Sequence, residues 1–260
     1  MKDLLNAFIP LKKVSKQTKS VLVTLEVLLF LSLWQFIDFS FLPKPLDVLK
    51  AFVTLYEDGL LREIFVSFWL NVEAILWSTL ISLAFVYLTV FEFMKPITKA
   101  LSKLRFMGLV GWTFVFTMLA SSSHMLKVML LVFGMSVFFI TSMLAVIETI
   151  PKEEYDYAKT LKLNNWQIIW HVIIYGRASE AMEILRQNAA MGWMMLTMVE
   201  GIARAEGGIG TVLLSQNKFF KLDAVFAALI CVLIIGLAQD GTIAGLRKGF
   251  FPHSALEEKK

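Results

Sequence analysis

The sequence predicts an all-α membrane protein with about six transmembrane helices, and three observations predict it. Hydrophobic residues make up 57% of the 260-residue chain and charged residues 18%, with a mean hydropathy of +0.69; a soluble domain is about half apolar and a quarter charged. The apolar residues gather into runs near the ~20 residues that a spanning helix needs. No run alternates with a period of two, so a barrel is excluded and helices satisfy the backbone in lipid.

The first expected span is Val21–Phe39, after a basic segment over residues 1–20. No small-residue cleavage site follows; the chain runs on as LWQFIDFSFLPKP, so an uncleaved span is expected. The second is Ile64–Phe91, which carries polar residues. The third, Phe106–Ala120, is short. SSSH, Ser121 to His124, reads as a polar turn before the fourth span, Lys127–Ile147. The fifth is Ile184–Gly201. EGGIG, Glu206 to Gly210, then reads as a turn or re-entrant bend, because it lies on the outer side where nucleotide is absent. The sixth is Leu222–Gly245. Residues 21–246 thus form one membrane domain, followed by a tail over residues 247–260.

Basic residues orient the spans. Lys2, Lys12, Lys13, Lys16 and Lys19 precede the first; Lys95, Lys99, Lys103 and Arg105 follow the second. Lys152, Lys159, Lys162 and Arg177 follow the fourth, and Arg247, Lys248, Lys259 and Lys260 follow the sixth. The opposite segments hold fewer: Lys44, Lys50, Arg62, Arg204, Lys218 and Lys221. The bias places both termini in the cytoplasm. Lysines along lipid headgroups account for the pI near 9.1, and no basic block with interleaved aromatics suggests nucleic acid.

Between the fourth and fifth spans lies Ile150–Gly176, IPKEEYDYAKTLKLNNWQIIWHVIIYG. Pro151 suits the first position of a helix, and Glu153 and Glu154 suit its positive first turn. The helix runs to Leu161 or Leu163. Asn164 and Asn165 make the turn, since Asn tolerates the left-handed conformation. Trp166, Ile169, Trp170 and Ile173 then form an apolar stripe at i, i+3, i+4 and i+7, which can pack on the bundle or lie in the interface. This cytoplasmic helix–turn–helix is either a handle for a partner or a mere amphipathic connector; residue physics alone supports both.

Several chemistries are excluded. No G-x-x-x-x-G-K-[ST] loop is present, and no serine sits in a G-x-S-x-G elbow. His124, His171 and His253 lie far apart without second ligands at metal spacing. The single cysteine, Cys231, reads as a small buried apolar residue. No catalytic residue and no metal site are expected. Ionisable groups inside spans are functional suspects: Glu26, Glu73, Glu200 and Asp240, with the polar Asn71, Gln187 and Asn188. Asn71, Glu73, Asn188 and Glu200 are the candidates for a substrate pathway. No Lys or Arg falls mid-span, which disfavours a permanent anion site.

The chain resembles the membrane permease subunits of ABC importers, in the nitrate/sulfonate/taurine branch. LPKPLDVLKAFVTLYEDGLL resembles the family's outer segment after the first span, LLVFGMSVFFITSMLAVIETIP its run into the signature, and GWMMLTMVEGIARAEGGIG its fifth span and outer loop. The family's Glu-Ala-Ala triplet is Asp156, Tyr157 and Ala158 here, its following glycine is Lys162, and its later Leu-Pro is Ile174-Tyr175. The Asn pair is expected to supply the turn that glycine would make.

The resemblance implies a type I importer permease. The signature segment, with Glu153, Asp156, Tyr157, Ala158, Lys159, Leu161 and Lys162, would dock on ABC ATPase subunits that hold the ATP and Mg; this chain would carry no cofactor. A second permease copy would complete a homodimer, and a periplasmic or lipid-anchored binding protein would deliver a small solute at the bacterial inner membrane. The altered signature also permits a non-transporting or asymmetric scaffold. An autonomous channel or secondary transporter would show paired broken helices or inverted repeats, and a membrane enzyme would show clustered His, Asp or Ser; neither pattern is evident.

Overall fold

The computed structural model describes residue 9, residues 15–36 and residues 42–252. Lys2, Lys12, Lys13, His253, Lys259, Lys260 and the last residues of the first expected span lie outside the described residues. The described chain is helical, with no strand among the described residues.

Eleven α-helices run in order: α1 Lys16–Phe36, α2 Pro45–Glu57, α3 Leu60–Tyr87, α4 Met94–Lys103, α5 Leu109–Leu119, α6 Ser123–Glu148, α7 Lys152–Thr160, α8 Asn165–Ile168, α9 Ala178–Ile202, α10 Ile209–Lys218 and α11 Leu222–Phe250. Among the described residues four stretches are long and apolar enough to cross a membrane: α1, α3 with its 3-10 extension to Val90, α6 and α11. α9 has 25 residues, about 37 Å of helix, but carries Glu180, Glu183, Arg186 and Glu200. The expected third span is corrected. Its helix, α5, has only 11 residues, about 16 Å against a hydrocarbon core of about 30 Å. A 3-10 turn over Leu104–Phe106 and an extended Gly108 break the apolar run before α5 starts.

α3 and α6 form the centre. Ser67, Asn71, Ala74, Ser78 and Ser82 recur every three or four residues along the buried face of α3. Small side chains let membrane helices approach closely, and their hydroxyls bond across the seam: Ser82 Oγ donates to the Ser136 carbonyl of α6 at 3.2 Å. α9 packs on both, and α10 and α11 pack on α9. α2 lays Val48, Ala51 and Leu55 onto α11. Cys231 is buried in this core, as the sequence suggested.

Two opposite ends result. One gathers the starts of α3, α6 and α10 with the Glu206–Gly210 loop. The other gathers the ends of α3 and α6 with the segment from Ile150 to Arg177.

Candidate functional site

The segment Ile150–Gly176 folds as two helical pieces around a sharp turn. Pro151 is the residue before α7 rather than its first residue, in an extended conformation. Glu153 and Glu154 fill the first turn and Lys159 the last, each with the sign the helix dipole favours. The turn differs from expectation. Lys162, at the family's glycine position, takes the left-handed conformation at φ 55°. Its N–H donates to the Lys159 carbonyl at 2.8 Å and the Leu163 N–H to the Ala158 carbonyl at 3.3 Å, which together make a Schellman cap. The Asn pair does not make the turn. Asn164 is extended and caps α8 through a reciprocal pair of bonds with Gln167, at 2.8 and 2.9 Å.

The expected apolar stripe is also corrected. Ile169–Tyr175 winds as a π-helix, so the inward positions shift. Ile168, Val172 and Ile173 are buried, whereas Trp166 is 69% and Trp170 57% exposed. Ile168 and Val172, one turn apart, take the inward face and leave Trp166 and Trp170 on the outer one, while over Ile169–Tyr175 bonds from i to i+5 replace the α-helical spacing. Amphipathic tryptophans in such a place suit a membrane–water boundary.

The two pieces close on Ala158, which is only 4% exposed and packs with Ile150, Ile168, Val172 and Ile173. Partly buried Tyr87, Val90 and Ile147 join them, fastening the hairpin to the ends of α3 and α6. Ala158 therefore packs within its own chain. Glu153, Asp156, Tyr157, Lys159, Leu161 and Lys162 all lie on the exposed side. Asp156 pairs with Lys159 at 3.0 Å. Tyr157 and Leu161, at i and i+4, leave 67% and 57% of their surface uncovered. The arrangement is a short rigid helix with an apolar pair ringed by charges.

Ion pairs that spacing along the chain does not disclose complete the picture. Arg177 donates to Glu154 at 2.6 Å and reaches Glu180 at 3.5 Å, joining α7 to α9. Arg186, two turns inside α9, pairs with Glu183 at 2.7 Å and with Asp240 of α11 at 2.9 Å. Arg247 of α11 returns to Glu183 at 2.7 Å. Arg186 and Lys127, whose side chain is wholly enclosed, are cations at the margins of the expected spans rather than mid-span. Both lie close to the ends of the apolar runs, while their helices extend further.

The four pathway candidates do not converge on one point. Asn71 donates to Gln239 of α11 at 3.1 Å, and Trp193 of α9 donates to the same oxygen at 2.7 Å. Asn188 is buried in α9 with no partner for either amide atom. Glu73, two residues after Asn71 on α3, instead bonds His124 at the start of α6, at 2.9 Å.

Glu200 is fully buried and belongs to the glycine loop. Its carboxylate accepts from Ser67 Oγ at 2.6 Å and from the Gly210 N–H at 2.8 Å. Ser67 Oγ in turn accepts from the Ile209 N–H at 2.8 Å, and Glu63 accepts from the Gly208 N–H at 2.5 Å. Lys127 donates to the Gly207 carbonyl at 3.0 Å. The amides of Gly208, Ile209 and Gly210, which begin α10, are thus each held by a side chain, and the Thr211 N–H by the Gly208 carbonyl. Gly207 and Gly208, at φ 75° and 112°, make the bend that presents them. EGGIG, expected as a turn or a re-entrant bend, makes a turn; SSSH turns at Ser121 and Ser122, where Ser122 caps α6 by accepting from the Met125 N–H at 3.1 Å, while Ser123 and His124 already belong to α6.

Among the described residues no cluster of three or more His, Cys, Asp or Glu could hold a metal ion. Comparison with known proteins fits this picture. A putative ABC transporter permease protein of Methanocaldococcus jannaschii is 23% identical over 105 residues, 40% of this chain and 39% of that relative's length. A crystal structure of an amino acid ABC transporter with histidines superposes at a TM-score of 0.60 over 76% of this chain and 95% of that one; at 14% identity the likeness is one of fold. It is the type I permease fold. The family described as binding-protein-dependent transport system inner membrane component matches residues 59–249, well over half of the 260 residues, and the chain is a member of that family.

Proposed function

We propose that this chain is the permease subunit of an ATP-driven importer for a small solute, and that Ile150–Gly176 is its contact with a separate ATPase. The observation that carries this reading is the outer face of α7. Tyr157 and Leu161 leave a contiguous apolar surface uncovered beside Glu153, Asp156 and Lys159, while Ala158 anchors the opposite face to the bundle. A connector with no partner gains nothing by exposing two large apolar side chains one turn apart, whereas an apolar centre with a charged rim is how a docking helix is built. ATP and Mg belong to the ATPase. A second permease copy and an extracytoplasmic binding protein complete the assembly, in a cytoplasmic membrane with both termini inside.

The solute is assigned to the nitrate, sulfonate or taurine class, or to another small organic molecule, on the segments quoted from the sequence. Of the pathway candidates, Asn188 fits a solute contact best, because its amide is placed among helices yet left without a partner. Glu200 fits a different role, the fastening of α10. Gln187, exposed on α9 one residue before Asn188, fits the wall of the same path.

Co-purification tests the reading. Wild-type chain should carry its ATPase through membrane extraction, and Leu161→Asp should lose it while keeping its own melting temperature. Retention of the ATPase by both Leu161→Asp and Tyr157→Asp removes α7 from the contact. A complex whose ATP hydrolysis no solute stimulates favours the scaffold instead.

A further inference from the structure

We propose that Arg177 is the strut that carries movement of the hairpin into α9, with Glu154 as its seat on α7. The inference rests on the reading of α7 as the ATPase contact. The chain itself is a poor lever here. α9 does not continue the π-helix: Gly176 and Arg177 intervene, and Arg177 has left the helical conformation at φ −113° and ψ 17°. Gly176 has no room for a side chain, since a Cβ would fall 2.5 Å from the Val172 carbonyl oxygen. A bent pair of residues between two helices transmits a push along the backbone less well than one continuous helix would.

Arg177 bridges that break with a charged fork. One nitrogen bonds Glu154 on α7 and another reaches Glu180 in the first turn of α9. Charge-assisted bonds from a planar guanidinium fix direction as well as distance. The geometry is held at a cost, because Arg177 Nε is buried without a partner. On another side the hairpin borders a cavity of about 430 Å³, lined by Lys95, Lys99, Glu148 and Tyr155 among others. The hairpin therefore has space to shift against α4 and α6 while tied to α9. From α9 the Glu183–Arg186–Asp240 and Arg247–Glu183 pairs continue the tie to α11. Arg177 touches no solute; it is a positioning residue, and rigid-body coupling through a discrete contact is the role its geometry fits.

The test is a charge-reversal cycle in the intact permease–ATPase complex. Met194, exposed on α9, is replaced by cysteine in a Cys231→Ala background, and its maleimide labelling rate is read with and without ATP plus vanadate. Wild type should show a nucleotide-dependent change. Arg177→Glu and Glu154→Arg should each shrink that change at least about fivefold, with ATPase still bound, and the double swap should restore it. A merely structural role would move the melting temperature and leave the nucleotide response alone. Single swaps that keep the full response overturn the strut, as does a folded double swap that fails to restore it. If either single swap does not assemble, Arg177→Gln is read by the same criterion. An assembled wild-type complex with no nucleotide response overturns the strut, whereas the docking reading falls only if Leu161→Asp and Tyr157→Asp both retain the ATPase.

Discussion

The two ends of this bundle are held together in different ways. At the glycine-loop end, Glu63, Ser67, Glu200 and Lys127 come from three helices and converge on four consecutive backbone positions, Gly207 to Gly210. Glu200, Ser67 and Lys127 there are fully buried. At the hairpin end, α7 leans on a small apolar cluster and an ion pair, and its outer face is bare. Buried, mutually satisfied polar groups make a region cooperative and stiff. Few buried contacts and exposed bonds make one that opens and moves cheaply. The difference teaches that the loop end is built to stay in place and the hairpin end to be gripped and moved.

The largest expected effect breaks the comparison if it fails. Glu200→Leu strands the Gly210 N–H and the Ser67 hydroxyl in a closed site, and should cost about 3–5 kcal/mol of stability. Glu200→Gln keeps an acceptor and should cost about 1 kcal/mol. Thermal melting in detergent checks both. Equal melting of Glu200→Leu and wild type would show that the loop end is not fastened by this carboxylate. Gly208→Ala should come next, at about 2–3 kcal/mol, since its φ is 112° and a Cβ would lie 2.2 Å from the Glu200 carboxylate.

At the hairpin end, inside and outside should separate. Ile173→Ala opens the small cluster and should cost about 2 kcal/mol. Trp170→Ala, on the exposed side, should cost under about 1 kcal/mol. The reverse order, read by the same melts, would put Trp170 on the inward face and contradict the burial of Ile173 within the small cluster. The smallest effect has the opposite sign. Lys162→Gly should stabilise the hairpin by about 1 kcal/mol, because a left-handed residue with a Cβ is strained and glycine is not. A lower melting temperature for Lys162→Gly would mean that the lysine side chain does more than turn the chain.

These sites also mark where the sequence could and could not be read. α6 and α11 announce themselves by long apolar runs, α3 by one that polar residues interrupt, and the hairpin by its charges between them. α5 misleads because apolar content continues through Phe106–Gly108 while the backbone does not stay helical. The tryptophan stripe assumed α-helical winding, and nothing in WQIIWHVIIY marks a π-helix. Lys162 was identified with the family's glycine position, yet its conformation was given to the asparagines, since lysine carries no propensity for that region. Glu200 stood out as a buried acid, but its partners Ser67 and Gly210 lie 133 and 10 residues away, a pairing that only the packing of α3 against α9 creates. Lys127 and Arg186 escaped notice because each sits at the margin of an apolar run, where cations are ordinary.

The central claim is that the outer face of α7 meets an ATPase, and one measurement tests it directly. With Cys231 replaced by alanine, Tyr157→Cys supplies the chain's single thiol. A short bifunctional cross-linker applied to native membranes should then join this chain to its ATPase, with the thiol shielded from soluble maleimide while the ATPase is bound. Free labelling of position 157 in the assembled complex, with no cross-linked product, would contradict the account.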